Sequence, residues 1–193
     1  MKNLLFVFLP ILVWSCGNST TTENQKNDLQ FTVEEKLLAE EFRDTSSGVR
    51  LRVPVEWHPV KHLTNDRLKH TFTSILSDDT LIQAIYVDTV HQASLICTRV
   101  NAQFEELQRA FNNPDSAYNS NKQWNSVLKS NFMLNGISVN QFLLQNADLV
   151  NFRLVCIDGL KNKFQLDYIM SRNAYLLQIK KVESSIGTIS IFQ

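Results

Sequence analysis

The sequence is short of the features that make an active site easy to read. Its five glycines, Gly17, Gly48, Gly136, Gly159 and Gly187, stand far apart. No glycine-rich loop can therefore cradle a phosphate, and both the P-loop and the dinucleotide fingerprint are missing. There is no Gly-x-Ser-x-Gly elbow to present a serine nucleophile. Cys-x-x-Cys and His-Glu-x-x-His are also missing. Charge of one sign is not in excess, since nineteen Lys and Arg stand against nineteen Asp and Glu. No basic field draws nucleic acid, and no basic cluster grips anionic lipid. The apolar run from Leu4 to Val13 falls short of the ~20 residues of a spanning helix. These absences remove the most legible enzyme classes. They point to no catalytic residue, no cofactor and no metal.

What is present at the start is a targeting pattern. Lys2 precedes the apolar run, and small Ser15 precedes Cys16. A charged start, a short apolar stretch and a small residue fit a secretory signal over residues 1–15. The segment Val13-Trp14-Ser15-Cys16-Gly17 resembles the lipobox of bacterial lipoproteins, with Trp14 where a small or branched residue is common. That resemblance implies a diacylglyceryl group on the Cys16 sulfur and cleavage just before it. Residues 17–28 contain no large apolar side chain. They cannot bury enough surface to offset ordering entropy. Residues 16–30 therefore read as a flexible tether and residues 31–193 as one globular domain. Removing the signal takes away only Lys2, leaving eighteen basic against nineteen acidic residues and a net charge of −1. The expected address is the bacterial cell envelope, with the lipid as the membrane contact. The polar residues after Cys16 do not distinguish inner from outer membrane.

Hydrophobic periodicity predicts the domain's elements. Thr32-Val33-Glu34-Glu35 fits a capping box for a short helix bearing Leu37, Leu38 and Phe42, with a strand over 40–44 as the alternative. Val49, Leu51, Val53 and Val55 alternate with Arg50, Arg52, Pro54 and Glu56, one face buried and one wet. Trp57-His58-Pro59 reads as a loop. Strands are expected over 68–76 and 81–89, with Asp78-Asp79 as their turn, and over 94–100. Phe104, Leu107 and Phe111 share a helix face from about Asn101. A second helix is expected over 121–133, with Trp124, Val127, Leu128 and Phe132 on one side and Asn135-Gly136 ending it. Strands then follow over 139–145, 150–157, 164–170 and 175–182, with Asp158-Gly159 as a turn and 183–193 as a helical turn plus tail. The class is α+β: an antiparallel sheet with two helices inserted between an N-terminal strand group and a C-terminal β-meander.

The segment Gly48-Val49-Arg50-Leu51-Arg52-Val53-Pro54-Val55-Glu56-Trp57 resembles the opening of PsbP-like domains, which begin with a glycine, an alternating strand, a proline and a tryptophan. Phe164 to Tyr168 and Tyr175 to Leu177 extend the likeness over roughly residues 40–193. The resemblance implies a non-enzymatic accessory, assembly or binding role. It carries over no binding residue, because the matching positions are fold-forming.

Several side chains are candidates for chemistry. His58 and His62 are four apart, but Pro59 disfavours the helix that would bring them together. His70 and His91 stand further on, and solvated loop histidines account for all four. Cys97 and Cys156 lie in apolar runs. They read as small buried hydrophobes, as a disulfide in an exported chain, or as a Cys-His nucleophile. Asp78 and Asp79 could pair as acid and base, although a turn explains them. Trp57 and Trp124 could line a groove or pack in the core. Arg50 and Arg52 share a wet strand face that could meet an anionic partner. The leading expectation is a lipid-anchored, non-catalytic envelope protein that binds another protein. The alternative is a periplasmic carrier or sensor for a small ligand or metal, and the third is an unrecognised hydrolase.

Overall fold

The computed structural model describes residues 31–61, 80–100, 124–157 and 163–192. The expected signal peptide, Cys16 and the tether lie outside these residues. So do the strand over 68–76, the helix from Asn101 and the turns at Asp78-Asp79 and Asp158-Gly159. The described strands are β1 (Leu38–Asp44), β2 (Val49–Pro54), β3 (His58–Pro59), β4 (Thr80–Asp88), β5 (Ala93–Val100), β6 (Ser126–Leu134), β7 (Ile137–Gln145), β8 (Leu149–Ile157), β9 (Lys163–Ser171) and β10 (Ser190–Ile191). One α-helix, α1 (Tyr175–Gly187), is found among the described residues.

The strands form two antiparallel sheets. A small one has the order β1-β2-β10, and a seven-stranded one has the order β3-β4-β5-β9-β8-β7-β6. One face of the large sheet packs on the small sheet and α1. Leu51, Val53 and Trp57 meet Leu95, Leu154, Leu166, Tyr168 and Met170 there, with Val182 and Ile186 from the helix. Each such side chain contributes roughly 1.5–3 kcal/mol by leaving water. The opposite face holds a second cluster, including Ile85, Ile96, Trp124, Phe142, Leu144, Val155 and Ile169.

Alternation located β2, β4, β5, β7, β8 and β9 within a residue or two. The second of the two inserted helices is not observed, and the first lies outside the described residues. The segment expected as the second one is β6, paired with β7 from Leu134↔Ile137 to Ser126↔Gln145. The cause is the link between them. Asn135 and Gly136 both have positive φ, 48° and 80°. That is the two-residue hairpin turn whose twist matches paired strands, not a helix cap. Leu128, expected on the buried helix face, is 61% exposed.

The last predicted strand is also corrected. Residues from Tyr175 form α1, with Gln178, Val182, Ser185 and Ile186 on its buried side and Leu176 and Leu177 outside. Helical spacing accounts for that division, whereas period two does not. The capping box does not form. A 3-10 turn, Glu35–Leu37, follows Glu34 with no side-chain cap, and the chain passes directly into β1. The alternative strand over 40–44 is the reading the structure supports.

Candidate functional site

One end of the fold gathers the β2–β3 link, the β4–β5 turn and the first turns of α1. Pro54 leads into a tight turn in which the Trp57 N–H donates to the Pro54 carbonyl at 3.2 Å. Glu56 sits in this turn at φ 71°, a left-handed conformation usually left to glycine. Trp57 is buried, with its ring centroid 6.3 Å from that of Tyr168. Its indole Nε1–H donates to Gln178 Oε1 at 3.2 Å, and Gln178 Nε2 donates to Asp88 Oδ2 at 3.1 Å. Asp88 Oδ1 accepts the Val90 and His91 main-chain N–H groups at 3.0 and 3.1 Å. Its Oδ2 meets His91 Nδ1 at 2.8 Å. A continuous hydrogen-bonded chain therefore runs from Trp57 through Gln178 and Asp88 to His91.

The electrostatics suit a carboxylate held as an anion. Burial pushes the Asp88 carboxyl up, but donation from the His91 main chain and ring and from Val90 outweighs it. The group titrates below its ordinary value. Glu56 is lowered first by its hydrogen bond with Lys181, whose Nζ lies 2.5 Å from Glu56 Oε2. The His91 turn carries a second strained residue, Gln92, at φ 52°. Two of the three left-handed non-glycine residues among those described thus flank this network. Such strain persists only where its surroundings over-determine it.

Three large apolar side chains stand outside the same network. Val90, in the turn beside Asp88, is 83% exposed; Leu176 and Leu177, just before Gln178, are 81% and 65% exposed. Buried hydrogen bonds beneath them fix the backbone that presents them. Glu56, Lys181 and His91 are polar side chains at the same end of the fold.

The other sequence candidates fall elsewhere. His58 is exposed on β3, while His62, His70, Asp78 and Asp79 lie outside the described residues. Among the described residues no three His, Cys, Asp or Glu are grouped to hold a metal. Cys97 and Cys156 are buried free thiols rather than a disulfide. Burial pushes both thiols up, so neither is poised as a thiolate. Cys97 touches a small cleft lined by Phe42, Asp44, Gln83 and Phe164. Asp44 is already tied there by Ser46 and Ser47, at 2.7 and 2.6 Å to their hydroxyls. Trp124 belongs to the core of the opposite sheet face. Arg50 and Arg52 do not await an anion. Arg50 donates to Ser190, and Arg52 donates to Ala39 and Leu38 carbonyls and pairs with Glu35.

Sequence reasoning missed Asp88 and Gln178. Asp88 carried a usable signal: an aspartate at a strand end, followed at the next positions by turn residues whose N–H groups it can accept. Gln178 carried none, because its segment also fitted a strand.

No protein-family profile and no curated protein matches the chain. Among solved structures it is similar to the solution structure of cyanobacterial PsbP (CyanoP) from Synechocystis sp. PCC 6803. The identity is 10%, over 93% of this chain and 99% of that one, with a TM-score of 0.49. No residue role and no function passes to this chain from a likeness at that level.

Proposed function

We propose that this chain is a non-catalytic, lipid-anchored protein of the bacterial cell envelope. In this reading the end bearing Val90, Leu176 and Leu177 binds another protein. The observation that carries the binding role is that Val90, Leu176 and Leu177 are exposed large apolar residues lying within two positions of Asp88 and Gln178, which a buried hydrogen bond joins. Exposed apolar clusters of this kind mark interaction surfaces. Rigid presentation lowers the entropy lost on binding. The anchor rests on the run from Leu4 to Val13, Ser15 and Cys16, with residues 17–28 as the leash. No helix among the described residues is long and apolar enough to cross a membrane.

Both parts can be tested separately. A clickable fatty acid should label the wild-type chain and not Cys16→Ala; an unlabelled wild type removes the anchor. Cross-linked chain recovered from solubilised membranes should bring a partner, and Leu176→Glu with Val90→Glu should reduce its recovery at least tenfold, about 1.4 kcal/mol. Unchanged recovery of the partner by that double variant would sink the proposed surface.

A further inference from the structure

The β6–β7 turn carries a chemically reactive pair. Asn135-Gly136 is the one place in the chain where glycine follows asparagine. Both residues are exposed, and a Cβ placed on Gly136 would meet nothing within 4 Å. An asparagine side chain can be attacked by the main-chain nitrogen that follows it. Glycine makes the attack easiest, because it has no side chain to crowd the approach. The nitrogen of Gly136 bonds to Cγ of Asn135, and the Cγ–Nδ2 bond breaks. Nδ2 leaves as ammonia, taking up the proton that the Gly136 nitrogen gives up. One water then opens the cyclic imide at either of its carbonyls. The products are aspartate or isoaspartate at position 135, and water is the only reactant added.

Folding ties down the atoms that must move. The hairpin holds Asn135 and Gly136 at φ 48° and 80°. Asn135 Nδ2 donates to the Ile189 carbonyl at 2.8 Å and to the Gly187 carbonyl at 3.3 Å. Gly187 is the last residue of α1, so its carbonyl is among those left without a partner inside the helix. The attack turns Cγ tetrahedral and expels Nδ2, the atom that both bonds hold.

We propose that Asn135 is a deamidation site which its bonds to the end of α1 hold shut, and which reacts when that seam opens. The reaction then keeps the seam from closing. A carboxylate has no hydrogen to donate, and it sets its oxygens against two carbonyl oxygens. It also puts negative charge at the C-terminal end of α1, where the helix dipole disfavours it. Isoaspartate adds one main-chain carbon to a two-residue turn whose twist matches the strands it joins. A local opening is thereby made permanent.

The full chain is incubated in mildly alkaline buffer, and peptide mapping by mass spectrometry follows conversion at position 135. Conversion should be several-fold faster in urea than in native buffer. Ile189→Ala loosens the segment that presents one of the two carbonyls. Ile169→Ala removes the same side-chain carbons from the other apolar cluster, away from the seam. Local opening gives conversion several-fold faster in Ile189→Ala than in Ile169→Ala. Asn135→Asp tests the lock without waiting for the reaction. Aspartate suits this turn as well as asparagine does, so the two chains differ in the donor. Its folding constant should fall roughly tenfold. Conversion that is no faster in urea, or equal in the two isoleucine variants, overturns the proposal. So does a stability unchanged by Asn135→Asp. None of these outcomes bears on the surface at Val90, Leu176 and Leu177, which involves the first turns of α1.

Discussion

Gln92 shows how one residue can carry strain for its neighbours. At φ 52° its side chain crowds its own backbone, while its carbonyl accepts the Ser171 N–H at 3.3 Å. Gln92→Gly should be more stable than Gln92→Ala by about 1 kcal/mol, since the two differ mainly in left-handed backbone cost. Urea midpoints that coincide would remove strain from the account of this turn. Gln178 is a different case, because it is fully buried and bonded at both ends. Gln178→Ala leaves the Trp57 indole N–H without its partner and should cost about 2 kcal/mol. Trp57 fluorescence and urea unfolding would register it together. Asp88 predicts an acid response. Its folded pKa lies below the unfolded value near 3.9. Its contribution is therefore present above that value and lost as pH falls through it toward the folded one. Asp88→Asn should flatten the part of the stability profile below about pH 4. A profile of unchanged slope would show that the carboxylate carries no such linkage.

At the scale of elements, α1 is the piece that joins the two sheets. Its Ser185 Oγ donates to the Arg52 carbonyl at 2.6 Å and accepts from the Tyr168 hydroxyl at 2.9 Å. Asn135 of the β6–β7 turn donates to the Ile189 carbonyl at 2.8 Å, just beyond the end of α1. At that end Gly187 leaves room for the start of the domain. A Cβ there would meet Val33 Cγ2 at 2.8 Å and Phe31 Cβ at 2.9 Å. Gly187→Ala should therefore cost about 2 kcal/mol by overpacking. Gly136→Ala should cost about 1 kcal/mol for a different reason. Nothing lies within 4 Å of its added Cβ, so its left-handed φ alone is at issue. Unfolding free energies of the two variants, with Val33→Ala added to each to remove the Cγ2 contact, separate the causes. Only the Gly187→Ala loss should be relieved.

At the scale of the whole molecule, the middle of the large sheet, β8 and β9, is buried on both faces. Along β9, Phe164, Leu166, Tyr168 and Met170 face the small sheet, as alternation predicts for an inner side. Gln165 and Asp167, which alternate with them, are buried too. Asp167 accepts from Asn151 at 2.8 Å, Arg153 at 2.7 Å and Gln165 at 2.6 Å. A buried charge demands such partners, and removing one of them is costly. Cys97 and Cys156 lie within the inner face and should resist alkylation until the chain unfolds globally. Labelling faster than global unfolding would show that the sheet opens locally.

Sequence by itself determined the strands with clean period-two patterning, the apolar face of β2 and the absence of glycine-rich and cysteine-pair motifs. These are local properties, set by which side chains recur on one side of a strand. Tertiary structure decided what local pattern leaves degenerate. Residues 126–134 fit a helix by spacing, but pairing with β7 across the Asn135-Gly136 turn satisfies their backbone as strand. Residues from Tyr175 fit a strand by composition, but the surfaces of two sheets needed a helix that could bury Gln178, Val182, Ser185 and Ile186 along one side. The network from Trp57 to His91 is likewise a product of assembly. Its members are separated by up to 121 positions between Trp57 and Gln178. Only packing brings such distant donors and acceptors within reach.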